Sequence, residues 1–408
     1  MVARRAIRWV ALAGSVGLLG AGGASAAETP AQLSALPAAA TVLMLQSSGA
    51  IVYARNANAE LAIASTTKLM TAYVTLEREP LDARLVEQPY AAGADESLAP
   101  VPAGAVLSVA DMLRAMLLPS GNNVAYSLSI DVGGTESNFV AMMNAAAAKL
   151  HLGRTHYTTP IGLDTPGDNY STATDLARLA RVLMRRPLFR EIVDESSARL
   201  ADGIVVDNRN DLLGAYPWVV GVKTGNTADA GECLVGAARS NGVRLISVVL
   251  GSPSEAARDD DTLALLRYGL GLYRSARVTA AGRVYASVPV EGRTLRARLV
   301  AARSFGVVLA RTATLHAALV VPSRLVGPIP AGTVEGSIEV TENGRTVATV
   351  ALVTAAAVPA PPPQPLVAHR SPRRVRRVGA GAGDPAAPGC SLPVVRARRM
   401  RCARRMQR

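Results

Sequence analysis

The run VRLISVVLG, residues 243–251, is nearly all apolar, on both of the faces that a β-strand presents. Successive strand side chains point to opposite sides, so a segment of this kind has to be covered above and below. It therefore belongs at the centre of a sheet with a layer on each side. A further strand is expected at WVVGVKTG, and a helix near TLALLRYGLGLY closes this part of the chain. Upstream, TVLMLQSSGAIVYA (41–54) reads as two short strands joined at Ser47-Ser48-Gly49, a hairpin. A helix follows it, with Ser65 as N-cap or first-turn residue and Leu69, Met70, Tyr73 and Val74 at helical spacing. Between about 108 and 186 the stretches SVADMLRAMLL, NFVAMMNAAAAKL and ATDLARLARVLM are amphipathic helices and predict a helical subdomain.

The character changes after about residue 276. Short β-rich runs (VYASVPV, TLRARLVAA, GVVLA, HAALVV, GSIEV, TVATVALV) and the turn pair Asn343-Gly344 predict a small all-β domain over 276–355. Residues 356–408 are a proline-rich linker and an arginine-rich tail with little apolar content to bury, expected to be disordered. At the other end, Arg4, Arg5 and Arg8 precede an apolar run and Ala24-Ser25-Ala26, the pattern of a secretory signal peptide over 1–26. That run is shorter than the roughly 20 residues a membrane span needs. The expected location is therefore outside the cytoplasm, in the periplasm or cell envelope, with the first large domain over 27–275.

Charge excludes a class of partner. The net charge is +13, but the leader carries +3 and residues 370–408 carry +11, which leaves the body at −1. Nucleic acid is thus not an expected partner of the folded part. Three cysteines make no disulfide framework: Cys233 lies in the apolar run CLVGAA and reads as a small buried residue, while Cys390 and Cys402 fall in the tail. His151, His156, His316 and His369 lack metal-ligand spacing, so neither a metal nor another cofactor is expected. A Ser-His-Asp triad assembled in three dimensions stays open on spacing alone.

The chain holds only three lysines, Lys68, Lys149 and Lys223, against 41 arginines. In ASTTKLM, Ser65 and Lys68 are three apart and share a helix face, which sets an amine beside a hydroxyl. Burial or a nearby cation can strip a lysine of its proton, whereas arginine stays charged. Lys68 is accordingly the candidate general base for a Ser65 nucleophile. Alone, Ser-x-x-Lys is weak, and a surface lysine after an N-cap serine fits as well. It gains force from Ser120-Gly121-Asn122 in LLPSGNNVA and Lys223-Thr224-Gly225 in GVKTGNTADAGE, the ordered set of penicillin-binding proteins and class A β-lactamases. Lys149 falls outside the set and reads as a solvated helix residue.

With these motifs the chain resembles the serine-type D-alanyl-D-alanine carboxypeptidases, the low-molecular-mass penicillin-binding proteins. The likeness runs from about 38 to 355 and includes ASTTKLMTAY, MNAAAAKLHLGRTHYTTPIGLDTPGDNYSTATDLARLA, AGECLVGAARSNGVRLISVVLG and IPAGTVEGSIEV. It implies an α+β fold: an antiparallel sheet flanked by helices with a helical subdomain, then a small all-β domain. It also implies that Ser65 attacks the bond between the two terminal D-alanines of a peptidoglycan stem peptide, with Lys68 taking the proton. By the same resemblance, Ser65 and Asn226 backbone N–H groups form the oxyanion hole, Ser120 relays a proton and Asn122 holds the substrate amide. Lys223 and Thr224, with Gly225, line the site, and Thr224 with Arg258 binds the terminal carboxylate. β-Lactams are the implied covalent inhibitors.

Three positions depart from the family pattern. Asn123 stands where Asp is more frequent, and Asn226 where a bulkier residue is common. Arg258 lies in SPSEAARDDD, which looks loop-like and acidic, so a solvated surface arginine is an equal reading. The amphipathic membrane helix with which most of the family ends is replaced by the linker and tail. That tail reads either as an electrostatic contact to anionic lipid or wall polymer or as unselected sequence. A β-lactamase is disfavoured because no Glu-x-x-Leu-Asn segment lies between Ser120 and Lys223. A D,D-endopeptidase, or an inactive wall-binding copy of the fold, remains as the alternative.

Overall fold

The computed structural model describes residues 5–10, 28–94, 96–164, 169–201 and 203–362. The chain divides into two compact units, Met1–Pro361 and Pro362–Arg408, and the sheets, helices and Ser65 site all belong to the first. Cys390, Cys402, His369 and the arginine-rich tail lie outside the described residues, as does most of the expected leader. Its described part, Arg5–Val10, is an edge strand paired antiparallel with Leu315–Pro322.

Five antiparallel strands form the main sheet, in the order Val219–Thr227, Gly231–Ser240, Val243–Ser252, Ala40–Leu45 and Ile51–Arg55. The strand expected at the centre is there. Its Ile246, Val248 and Leu250 face one hydrophobic cluster and its Leu245 and Val249 the other, so the apolar character on both faces is used. The first cluster is completed by the helices Lys68–Arg78, Val109–Leu117, Asn122–Gly133 and Ala173–Leu183, and the second by Pro30–Ser34 and Glu255–Leu272.

The three amphipathic stretches are helical, and each begins where a cap side chain accepts a backbone N–H: Ser108 from Asp111, Thr135 from Asn138, Thr172 from Asp175. Such caps stabilise a helix by about 1 kcal/mol each. Beyond Thr279 the β-rich runs are strands with their own core of Val288, Leu299, Val340, Val350 and Leu352. Asn343 and Gly344 both take positive φ, 47° and 82°, as the tight turn between Val334–Glu342 and Arg345–Thr354 requires.

Two local expectations are corrected. Of the two readings of Ser65, N-cap or first-turn residue, the first is corrected: Ser65 lies within a one-turn 3₁₀ helix, Ala64–Thr67, that runs into Lys68–Arg78. The segment SPSEAARDDD is not a loop. Ser254 caps a helix starting at Glu255, so Arg258 is helical and buried rather than a solvated surface residue.

Candidate active site

Lys68 opens its helix with the side chain pointing into the protein, and the residue has no exposed surface. The surface-lysine reading is thereby excluded. Its Nζ lies 2.8 Å from Ser65 Oγ, 2.7 Å from Asn122 Oδ1 and 3.1 Å from the Ile161 carbonyl oxygen. The Asn122 amide has one possible orientation, because its Nδ2 donates to Glu96 Oε2 at 2.8 Å and a carboxylate cannot donate back. Asn122 Oδ1 and the Ile161 carbonyl are thus both pure acceptors. A neutral amine gives them its two hydrogens and turns its lone pair to the Ser65 hydroxyl. Charge follows the same direction: burial first, then Lys223 and Arg209, push the Lys68 pKa well below its usual value, against an opposing pull from Glu96.

Each partner is held in turn. Asn169 Oδ1 accepts from the Thr158 and Thr159 amides at 2.6 and 3.0 Å, and its Nδ2 donates to Thr159 O and Thr67 Oγ1, both at 3.0 Å. This fixes the loop that carries Ile161. The next residue, Gly162, has φ +93° and lies so close to the 3₁₀ turn that a Cβ would stand 2.1 Å from Ala64 O. Glu96 accepts from Asn122, Tyr90 and the Gly93 amide. Burial works against its ionisation, but these bonds and Lys68 outweigh it and hold its pKa below the ordinary value.

The Lys-Thr-Gly stretch lies on the edge strand Val219–Thr227, against the turn that carries Ser65. A Cβ on Gly225 would be 3.0 Å from Ser65 N and 3.1 Å from Thr66 N, so any larger residue would push the Ser65 turn away from the strand. Lys223 is buried, and desolvation, with Arg209 and Arg258, lowers its pKa to about 7. Ser120 adopts φ 66°, and its buried Oγ has no hydrogen-bond partner. Backbone strain and an unspent hydroxyl are both costs that a packed core avoids.

Asn226 points its Nδ2 at Glu232 Oε1 across the paired strand. Glu232 Oε2 also accepts from Arg258 Nη1 at 2.8 Å, and Arg258 Nε donates to Asp259 at 2.9 Å. Arg258 therefore reaches the Lys-Thr-Gly strand through Glu232, and only its Nη2, buried and unpartnered, is unspent. Asn123 has its own explanation: its Nδ2 donates to Glu87 Oε1 at 2.8 Å and to Ala99 O at 3.1 Å. With the acid on Glu87, an amide is what position 123 needs.

The structure brings together Ser65, Lys68 and Asn122 by hydrogen bonds, and Gly225 with the Ser65 turn by close approach. No histidine hydrogen-bonds to Ser65 among the described residues. Cys233 is buried as expected, and Lys149 is exposed and pairs with Glu77 at 3.5 Å. Sequence reasoning missed Glu96, Tyr90, Asn169, Arg209 and Glu232. Only Asn169 and Glu232 lie in stretches that carry the family resemblance.

Comparison with known proteins agrees with this geometry. Residues 25–254 match the Peptidase S11 model, described as D-alanyl-D-alanine carboxypeptidase. The chain belongs to this family. It is 32% identical over 339 residues to the D-alanyl-D-alanine carboxypeptidase DacD of Salmonella typhimurium, covering 78% of this chain and 86% of that protein. To DacC of Escherichia coli it is 31% identical over 340 residues, with 79% and 85% covered. Among solved structures, penicillin binding protein 5 from Haemophilus influenzae superposes with a TM-score of 0.56 at 28% identity, covering 79% of this chain and 97% of that one. The carboxypeptidase fold of a helix-flanked antiparallel sheet with a C-terminal β domain is thus the fold of this chain.

Proposed function

We propose that this chain is an exported serine D,D-carboxypeptidase that removes the terminal D-alanine from peptidoglycan pentapeptides. The observation that carries the proposal is the aim of Lys68: two of its three contacts are fixed acceptors, and the third is the Ser65 hydroxyl. Neutral Lys68 takes the Ser65 proton as Oγ adds to the carbonyl between the two D-alanines. The backbone N–H groups of Ser65 and Asn226 receive the developing oxyanion, a role that the tight approach at Gly225 supports. The second hydrogen of Asn122 Nδ2, not used by Glu96, holds the substrate amide. Ser120, whose hydroxyl has no protein partner, relays the proton to the departing amine.

Thr224 and the charge of Lys223 receive the terminal carboxylate. Arg258 acts as a positioning residue, holding Glu232, which in turn holds Asn226. Water then hydrolyses the acyl-enzyme. β-Lactams acylate the same serine, and the adduct is long-lived because no Glu-x-x-Leu-Asn segment supplies a deacylating base. Export rests on the leader pattern, and any salt-sensitive contact of the tail with anionic lipid or wall polymer rests on its charge.

The test is D-alanine release from a short peptide ending in Lys-D-Ala-D-Ala, with Ser65→Ala beside the wild type. Release by the wild type alone supports the reading. Cleavage of cross-linked dimers without release from the monomeric peptide would move the assignment to an endopeptidase, and no cleavage of either by folded protein would leave a wall-binding copy of the fold.

A further inference from the structure

At the end of the sheet remote from Ser65, four arginines from separate elements line one surface cavity of about 460 Å³. Arg185 follows the helix Ala173–Leu183, and Arg190 belongs to the helix Pro187–Asp194. Arg239 ends one central strand, and Arg244 begins the next. Arg239 is seven residues, about 23 Å, along its strand from Glu232, the partner of Asn226, so the cavity lies toward the opposite end of that strand from the Lys-Thr-Gly stretch. The folded body as a whole is close to neutral, so this concentration is local.

The arrangement is unfavourable as it stands. Arg239 and Arg244 are direct cross-strand partners, and like charges in that position repel. Among the described residues one carboxylate answers them: Asp194, 3.8 Å from Arg239, whose own ionisation burial opposes. Arg190 is pre-oriented by donating to the Met184 and Arg185 carbonyls at 3.1 and 2.9 Å. Neither Arg185 nor Arg244 has a side-chain hydrogen bond or ion pair among the described residues. A fifth cation, Arg181, donates to the Gln46 and Ser47 carbonyls beside the cavity, and burial, with Arg185, presses its pKa down. A merely solvated face would spread these charges apart.

We propose that this cavity is a binding site for a phosphate-bearing anion with two or more phosphate groups. Guanidinium forks match phosphate oxygens in pairs, and four forks around one cavity exceed what a single monoanion uses. The ligand relieves the Arg239–Arg244 repulsion, which supplies part of the binding free energy. Its source is either a soluble phosphate compound or the headgroup of an anionic lipid.

The experiment uses the full chain and the double variant Arg185→Gln/Arg244→Gln, neither residue being part of the Ser65 site. Inorganic pyrophosphate is titrated by calorimetry, and co-sedimentation is measured with phosphatidylglycerol and with phosphatidylcholine vesicles. The expected result is saturable one-to-one pyrophosphate binding, weakened at least tenfold in the variant and by added salt, with D-alanine release unchanged. Loss of phosphatidylglycerol binding in the variant, relative to wild type, assigns the ligand to a headgroup. Equal vesicle binding by both proteins, alongside variant-sensitive pyrophosphate binding, assigns it to a soluble phosphate. Absence of saturable pyrophosphate binding, or binding that the variant retains in full, overturns the site and attributes any anion affinity to the tail.

Discussion

Asn123→Asp would restore the acid that this family more often carries after Ser-x-Asn, and in this chain it should destabilise the fold. Asn123 Nδ2 donates to Glu87 Oε1 at 2.8 Å and to Ala99 O at 3.1 Å, and an aspartate loses both donors while keeping the acceptor for the Ala99 amide. A hydrogen bond to a charged acceptor contributes about 2 kcal/mol and one to a neutral carbonyl about 1, so the loss is about 3 kcal/mol before any repulsion between the two carboxylates. The loss should depend on pH. Burial raises the Glu87 pKa from 4.5 to about 7, so the native state binds more protons than the unfolded chain between those values. Wild-type stability accordingly falls as pH rises through that window.

In the variant, a proton on Glu87 can be shared with the new carboxylate at pH 5.5, whereas at pH 8.5 both are ionised. Urea unfolding is the assay: at an m-value of about 3 kcal/mol/M, the midpoint should drop by about 1 M at pH 8.5. At pH 5.5 the drop should shrink to about a third of that. An equal loss at both pH values, or none at pH 8.5, would refute the pairing of Asn123 with an ionisable Glu87.

Other consequences concern the reacting groups. Glu96→Gln removes the one nearby acid that raises the Lys68 pKa, so the acid limb of the acylation rate should move to lower pH; an unmoved limb with a uniformly lower rate would mean that Glu96 only shapes the loop. Gly162→Ala combines a left-handed φ with a Cβ 2.1 Å from Ala64 O, and should cost about 3 kcal/mol or more while slowing acylation at least tenfold by displacing Ile161 from Lys68. Thermal unfolding and penicillin acylation rates check both parts. Lys223 sheds its proton near pH 7, so KM for a carboxylate-terminated peptide should rise as pH climbs through about 7; a KM flat from pH 6 to 8 would contradict a cationic role in binding.

The sheet was legible because 243–251 is nearly all apolar, with Ser247 the one polar residue that the core takes in, and the helices because their apolar residues recur at helical spacing. Ser65, Lys68, Asn122 and Gly225 could be found because the chemistry imposes short spacings on them. Glu96 could not: it reaches the site from 26 positions before Asn122, within a stretch that has no period of its own. The helix that buries Arg258 reads as a solvated loop in the sequence for a different reason. Arg258, Asp261, Thr262, Leu265, Leu266 and Gly269 form a buried helical stripe, but its first members are polar and the run of aspartates looks like a solvated loop. Periodicity arguments that count only apolar residues do not see a stripe that begins with an ion pair. Glu232 and Glu87 escaped likewise, since each is explained only by a partner across a strand or on another element.

The most direct measurement is the intact mass of the protein after exposure to benzylpenicillin, followed by peptide mapping, for the wild type and Lys68→Arg. The wild type should gain one penicillin, located on Ser65, and the folded Lys68→Arg protein should gain none. An adduct on another residue, or normal acylation of Lys68→Arg, would contradict the assignment of Ser65 as nucleophile and Lys68 as its base.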